Sequence, residues 1–158
     1  MIVSLSKDEV RVCTTLAVER WLTKFDSEDR PNYAEGKRAG RLEFELLANI
    51  RANVSEWAVA KQYNLSWNVP WYPNELHTNR KKISDVGNFE VRTVRTRPAI
   101  PFWHKDAGRI IYGTKILDEE YFSKVEVYGW FEADKYMSDR YADPEISGWR
   151  VPVEEIRN

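Results

Sequence analysis

The first part of the chain carries its apolar residues at helical intervals. A helix is predicted over about residues 7–25, where apolar side chains recur every three or four positions. That stripe consists of Val10, Cys13, Leu16, Ala17, Trp21 and Phe25. Ser6 and Glu9 have the spacing of a capping box, in which the hydroxyl and the carboxylate satisfy amides of the first turn. The polar residues 26–40, with one proline and two glycines among them, predict a loop.

A second helical region is predicted over about residues 41–63. Its apolar stripe consists of Leu46, Leu47, Ile50, Val54 and Trp57. Pro70 and Pro73 follow in an aromatic connector, which cannot be the interior of a helix because proline lacks the amide proton and clashes with the preceding turn.

The pattern changes after this connector from a helical period to that of β-strands. Segments rich in β-branched and aromatic residues predict strands at 82–87, 89–96, 109–117 and 124–132. Gly87-Asn88 supplies a tight turn between the first two strands, and a short helix is predicted at about 132–138. Residues 149–156 predict a last edge strand, because an edge tolerates Pro152. Helices followed by strands indicate an α/β protein in α+β order, with a central mixed sheet of four to five strands flanked by helices.

The composition is that of one globular domain. The 158 residues are 42% hydrophobic and 31% charged, which is sufficient for a core and too apolar for a disordered chain. The single cysteine, Cys13, excludes an intrachain disulfide and favours either a reducing compartment or indifference to redox conditions. The chain has neither the roughly 18 to 20 consecutive apolar residues of a membrane span nor the pattern of a signal peptide, so we expect a cytoplasmic protein.

Charge is distributed unevenly although the net charge is only −1. Between residues 80 and 109, eight basic side chains stand against three acidic ones. From residue 118 to residue 158, eleven acidic side chains stand against five basic ones. This asymmetry favours a face that meets an anion, although chance clustering on solvated strands would give the same pattern.

Glu56 is predicted to lie on an apolar face of the second helix. Ala52, Val59, Ala60 and Tyr63 are three, four or seven positions away and therefore share its face. A carboxylate among such neighbours is costly to bury unless a cation or a hydrogen-bond donor meets it. Either such a partner is present, or the flexible stem of Glu56 reaches to water.

Asp85 and Glu90 are predicted to meet across a hairpin, since Asp85 ends one predicted strand and Glu90 lies just past the turn. Glu90 and Arg92 are two residues apart and project from one face, while the apolar Phe89 and Val91 project from the other. Carboxylate oxygens, together with water and substrate phosphate, are the ligands that Mg²⁺ prefers. The alternative is an ordinary Asp turn with a surface pair of Glu90 and Arg92.

The segment DVGNFEVRT, with its D-x4-E-x-R arrangement, resembles the core motif of the PD-(D/E)XK nucleases, the superfamily with the restriction-endonuclease-like fold. In that family an Asp and a Glu-x-Lys or Asp-x-Lys lie on a β-hairpin, and a Glu from a preceding helix completes the metal site in many members. SEWAVAKQYNL, with Glu56, resembles that helix. The order of the later segments RPAIPFWHKD, GRIIYG, VEVYGWF and WRVPVEEI resembles the phage-encoded branch. The resemblance covers about residues 50–158, so residues 41–158 are interpreted as a nuclease-like core and residues 1–40 as an N-terminal helix and loop of the same domain.

The resemblance implies a metal-dependent deoxyribonuclease, in which a water activated by Mg²⁺ or Mn²⁺ hydrolyses a DNA phosphodiester bond. The implied metal ligands are Glu56, Asp85 and Glu90. Arg92 stands where the family has lysine, and an arginine stays protonated and cannot be a general base, although it can clamp a phosphate with two hydrogen bonds. Either the metal suffices, or Lys82 or Lys105 reaches the site, or catalysis has been lost.

Further basic and aromatic residues are candidates for contacts to DNA. The basic side chains that would suit backbone phosphates are Arg80, Lys81, Lys82, Arg95, Arg97 and Lys105. Trp67, Trp71 and Trp103 lie in connectors, where they either stack on unpaired bases or pack. His104-Lys105-Asp106 is either a phosphate-facing loop near the site or a plain polar turn.

Three functions follow from these patterns. The first is a nuclease of phage or mobile-element DNA processing, acting in the host cytoplasm, with DNA as substrate and a homodimer or a phage or host protein as candidate partner. The second keeps the fold without the chemistry, as a nucleic-acid-binding or protein-interaction module. The third is a structural or host-takeover protein whose acidic C-terminal portion binds a basic partner. A zinc cluster is not favoured by two histidines and one cysteine, and neither a P-loop nor a G-x-S-x-G elbow occurs.

Overall fold

The two helices lie where the pattern predicts them. The computed structural model describes residues 1–22, 42–69 and 83–156. Helix α1 spans Lys7–Leu22 and helix α2 spans Leu42–Tyr63. The capping box is confirmed, since the Ser6 amide donates to the Glu9 carboxylate at 2.7 Å and the Glu9 amide donates to the Ser6 hydroxyl at 3.2 Å. The last predicted residues of the first helix and the predicted loop at 26–40 lie outside the described residues.

Neither α1 nor α2 is long and apolar enough to cross a membrane.

The strands of the described residues form two sheets. In chain order they are β1 (Ile2–Ser4), β2 (Phe89–Val94), β3 (Ala99–Phe102), β4 (Ile110–Ile116), β5 (Lys124–Glu132), β6 (Ala142–Asp143) and β7 (Gly148–Pro152). The larger sheet has the order β1-β5-β4-β2 and is mixed, because β2 runs parallel to β4 while the other pairs are antiparallel. The smaller sheet has the order β3-β7-β6. A mixed sheet of four strands with helices against it confirms the predicted fold class.

The larger sheet is buried on both faces. Helix α2 lies against β2, β4 and β5, and α1 packs on α2. The helix side of the core includes Val54, Val91 and Tyr112. The opposite face is covered by the smaller sheet, where Phe102 meets Phe131 edge-on at 5.4 Å between ring centroids. Alternate residues of β2 and β4 therefore enter different cores, as the two-residue period of a strand requires.

Two predictions about strands are wrong: one predicted strand does not form, and another lies in the middle of its sheet. Residues 83–87 are not a strand, because Val86 makes only isolated bridges, to Trp67 and to Phe89. The last strand, β7, is central in its sheet and not at an edge. It tolerates Pro152 because β6 pairs only with Gly148 and Trp149, so no strand of the described residues lies on the far side of Pro152.

Two smaller differences concern the ends of elements. The predicted helix at 132–138 is a 3₁₀ turn, Ala133–Tyr136. The predicted strand at 89–96 ends at Val94, and the next four residues bend towards β3.

Gly113 of β4 lies where the two sheets pack closely together. A Cβ atom added there would lie 2.8 Å from Cδ1 and from Cγ1 of Ile100, which is fully buried, and 3.1 Å from Cδ1 of Ile156. We expect Gly113→Ala to lower the free energy of unfolding by about 1–3 kcal/mol, because a closely packed core resists an extra methyl group. Urea denaturation measures this. In an Ile100→Ala background the same change should cost less, and an equal cost in both backgrounds would show that the contact is not its cause.

Candidate active site

A turn beside β2 holds Asp85. The side-chain amide of Asn68 donates to the carbonyl oxygens of Ser84 and Gly87, each at 2.9 Å, and its backbone amide donates to the Asp85 carbonyl at 3.0 Å. Gly87 has a φ of 53°, which glycine adopts without the steric cost of a side chain. Asn68 therefore positions Asp85, a role that its place in the aromatic connector did not indicate.

Asp85 reaches β2 through its side chain and not through a strand ladder. Its Oδ2 atom accepts a hydrogen bond from the Val91 amide at 2.9 Å. The predicted turn at Gly87-Asn88 is confirmed, since Val86 and Phe89 exchange backbone hydrogen bonds of 3.1 and 2.8 Å. The Asp85 carboxylate thus accepts the Val91 amide hydrogen, as a backbone carbonyl of a paired strand would. The residues before the turn are therefore attached to β2 without forming a strand.

Glu90 and Arg92 project from one face of β2, as predicted, while Phe89 and Val91 pack in the core beneath the helices. Glu90 is 7% exposed and accepts hydrogen bonds on both oxygens. Arg109 Nη1 donates to its Oε1, and Arg92 Nη1 donates to its Oε2 at 3.4 Å. Arg109 comes close because it precedes β4, whose first residues pair with Phe89 and Glu90.

Arg92 connects three carboxylates. Its Nη1 atom lies 3.7 Å from Asp85 Oδ2 and 3.4 Å from Glu90 Oε2, and its Nη2 atom donates to Asp106 Oδ1 at 2.9 Å. The Asp106 side chain is 2% exposed and the Arg92 side chain 18%, so the carboxylate of this pair is almost fully withdrawn from water. Its other oxygen accepts the Trp103 amide at 2.9 Å. Sequence reasoning placed Asp106 either in a phosphate-facing loop near the site or in a plain polar turn, and nothing local indicates its partner fourteen residues away.

Glu56 lies on the apolar face that its helical neighbours predicted, and with 5% of its surface exposed it is buried rather than reaching to water. Its Oε2 atom accepts the indole N–H of Trp67 at 2.9 Å, so this connector tryptophan packs at the core. Burial and the negative charge of Asp85 raise the pKa of Glu56 to about 7, against the opposing effects of Arg20 and the Trp67 hydrogen bond. The charge of Glu90 raises this pKa as well. The charges of both Asp85 and Glu90 therefore act on the carboxyl group of Glu56.

The pKa of Glu90 is raised for the same reasons as the pKa of Glu56. Burial and the charge of Asp85 raise its pKa, Arg92 and Arg109 lower it, and Asp106 raises it further. The net direction is upward, so the two arginines do not fully offset the cost of placing this carboxylate among other acids.

The described residues therefore bring four carboxylates and three guanidinium groups into one electrostatic cluster. Its members are Glu56, Asp85, Glu90, Asp106, Arg20, Arg92 and Arg109. All three predicted ligands belong to it. A full charge on Glu56 leaves an excess of negative charge, which is the condition that attracts a cation.

Whether these residues fit a divalent metal depends on their donor atoms. Carboxylate oxygens are hard ligands and suit Mg²⁺ or Mn²⁺. Among the residues that the structure describes, no three His, Cys, Asp or Glu side chains are grouped closely enough to hold a metal ion by themselves. Mg²⁺ is commonly bound by only one or two carboxylates with waters and substrate phosphate, and Asp85 with Glu90 supplies such a pair. Ligation by Glu56 as a third group stays a prediction.

The predicted DNA contacts lie in different surroundings. Arg80, Lys81, Lys82 and Trp71 lie outside the described residues. Arg95 Nε is 3.7 Å from a carboxylate oxygen of Glu119, and Arg97 Nη1 is 2.7 Å from one of Glu145. The basic middle and the acidic C-terminal portion therefore partly neutralise each other. Lys105 is exposed and lies near Trp103, with its Nζ atom 5.6 Å from the ring centroid.

Comparisons with known proteins add no relative, since no family model, curated protein or solved structure matches this chain. The fold and the cluster define the class by themselves. This is an α+β protein whose mixed sheet carries a partly buried group of acids and arginines at the edge formed by β2.

Proposed function

We propose that this protein is a metal-dependent deoxyribonuclease that hydrolyses DNA phosphodiester bonds. One observation carries the proposal: Asp85 and Glu90 converge on a single cationic atom, Arg92 Nη1, at 3.7 and 3.4 Å. Two carboxylates directed at one cationic position are what a magnesium site needs from a protein. The D-x4-E-x-R motif and its place after a helix with a buried glutamate support the same chemistry.

Each side chain of the cluster has a role in this proposal. Asp85 and Glu90 hold Mg²⁺ or Mn²⁺, and Glu56 adds negative charge when it loses its proton. The metal, when bound, polarises the phosphodiester and lowers the pKa of a water molecule. Arg92, whose Nη2 atom stays on Asp106, and Arg109, which pairs with Glu90, bind the oxygens of the scissile phosphate through their other N–H groups. Arg92 takes no proton, because a guanidinium group stays charged.

The setting of this activity is part of the proposal. The order of segments that resembles phage-encoded nucleases supports DNA processing by a phage or mobile element in the cytoplasm of its host. A homodimer, or a phage or host protein, is the candidate partner.

A second candidate is a nucleic-acid-binding or protein-interaction module without catalysis. The observation that favours it is that both oxygens of Glu90 are engaged by guanidinium groups. Two such partners offset part of the cost of burying this carboxylate in the absence of a metal. In this function the cluster is a structural ion-pair network, and DNA binding would depend steeply on salt and not on metal.

The proposed function is tested with purified protein, labelled single- and double-stranded DNA, and Mg²⁺, Mn²⁺ or EDTA. We expect products with either metal and none with EDTA. The Arg92→Lys variant restores the residue typical of the resembling family and should cleave at least as fast as the wild type. No product from either protein under any condition would reject the nuclease, and DNA affinity retained in EDTA with a steep salt dependence would support the binding module.

A further inference from the structure

A pocket of about 380 Å³ lies beside the candidate site. It is lined by Trp103, His104, Lys105 and Ser147. The first three precede or form a 3₁₀ turn, His104–Asp106, after β3, and Ser147 lies in the connection between β6 and β7. Its volume falls in the range of about 300–1,000 Å³ that is typical of small-molecule pockets.

The indole ring of Trp103 is fixed in this pocket. Its N–H group donates to the Ile146 carbonyl at 3.1 Å, so the polar atom of the ring already has a partner. Gly148 lets the ring pack closely, because a Cβ atom there would lie 3.1 Å from Trp103 Cδ1 and 2.5 Å from the Phe102 carbonyl oxygen. Trp103 is half-buried, and what it offers to a ligand is therefore its apolar ring surface.

The rest of the pocket suits an anion. Lys105 is exposed, and in the described part of the chain no carboxylate lies within ion-pair distance of its ammonium group. His104 is also exposed and rests edge-on against Trp149, at 4.4 Å between ring centroids. The Lys105 ammonium group lies over the Trp103 ring, 5.6 Å from its centroid, and an aromatic ring with a cation next to it is a combination that binds a base and its phosphate.

The pocket is joined to the candidate site by one side chain. Asp106 accepts the Trp103 amide on one oxygen and the Arg92 guanidinium on the other, both at 2.9 Å. Because Asp106 is 2% exposed and both bonds are short, Trp103 and Arg92 are held in a fixed relation. A nucleotide in the pocket would therefore be close to a phosphate bound at Arg92.

We propose that this pocket binds an unpaired nucleotide of the DNA, with the base against Trp103 and the phosphate at Lys105. The inference rests on the proposed function, since it assumes that DNA is the substrate, and it adds that the substrate has a single-stranded part. A base within a duplex is stacked on both faces and cannot meet the ring, whereas an unpaired base can.

The test is DNA binding in EDTA, where cleavage plays no part. Fluorescence anisotropy with a labelled oligothymidylate and with a duplex of the same length gives two affinities for each variant. We expect Trp103→Leu to weaken single-strand binding between about fivefold and a hundredfold and to leave duplex binding unchanged. Lys105→Gln should weaken single-strand binding and lower its salt slope by about 0.7. Tyr121→Leu, which removes an exposed aromatic ring outside the pocket, should change neither affinity.

Failure of this inference can be told apart from failure of the proposed function. Single-strand affinity unchanged in both Trp103→Leu and Lys105→Gln would overturn the pocket, even if metal-dependent cleavage is observed. If the variants lose affinity for single-stranded DNA only, and no cleavage is observed with any protein, the pocket is supported and the nuclease activity is rejected. Thermal melting checks that each variant is folded. Lys105→Gln changes an exposed side chain, so if Trp103→Leu does not fold, the affinity of Lys105→Gln for single-stranded DNA tests the pocket.

Discussion

Replacing Asp85 with asparagine is expected to lower the rate of metal-dependent DNA cleavage by at least about a hundredfold. The change removes one of the two carboxylates that point at the Arg92 Nη1 position. An amide oxygen can still accept the Val91 amide, so the turn that carries residue 85 should keep its place. The rate is measured under single-turnover conditions with excess protein and Mg²⁺.

Asp118 offers a matched control for this experiment. It also lies in a connection between strands, where its carboxylate accepts the Lys124 amide at 2.9 Å and the Ser123 hydroxyl at 2.6 Å. Asp118→Asn should therefore cleave DNA at the wild-type rate. If Asp85→Asn and Asp118→Asn cleave equally well, the conclusion that Asp85 takes part in the chemistry is wrong.

Stability in metal-free buffer is expected to fall as the pH rises from about 4.5 to about 7. Burial, followed by the charge of Asp85, raises the pKa of Glu56 from 4.5 to about 7. Between these values the folded protein binds more protons than the unfolded chain, so the free energy of unfolding decreases with pH. The full change is about 3 kcal/mol and is complete above the folded pKa. Glu90, whose pKa is also raised, acts in the same direction.

Urea denaturation in EDTA at about pH 5 and pH 8 measures this change. Glu56→Gln should reduce the pH dependence, because a neutral amide keeps the volume and can still accept the Trp67 indole hydrogen. The carboxyl of Glu9, with its pKa lowered from 4.5 to about 2, changes the stability mainly below pH 4.5 and contributes little between pH 5 and pH 8. Adding Mg²⁺ should stabilise the wild type more at the higher pH. An equal pH dependence in wild type and Glu56→Gln would show that Glu56 is not the group responsible.

The sequence by itself determined those features that depend on neighbours within one element. The capping box of α1 needs only Ser6 and Glu9, which are three residues apart, and the apolar face that carries Glu56 follows from side chains one or two turns away on α2. The common face of Glu90 and Arg92 follows from the two-residue period of a strand. Local geometry decides each of these features, and a pattern of residues records local geometry directly.

The tertiary structure alone decided which groups meet. Asp106 and Arg109 became partners of Arg92 and Glu90 only when β4 paired in parallel with β2, and that register joins residues about twenty positions apart. Asn68 likewise meets the Asp85 turn across an intervening segment. The reason is physical: strand pairing and side-chain contacts between distant segments are set by the packing of the whole core, which periodicity in one segment does not contain. The chemistry of the cluster could be inferred from residue types, but the pairing of Arg109 with Glu90 and of Asp106 with Arg92 could not.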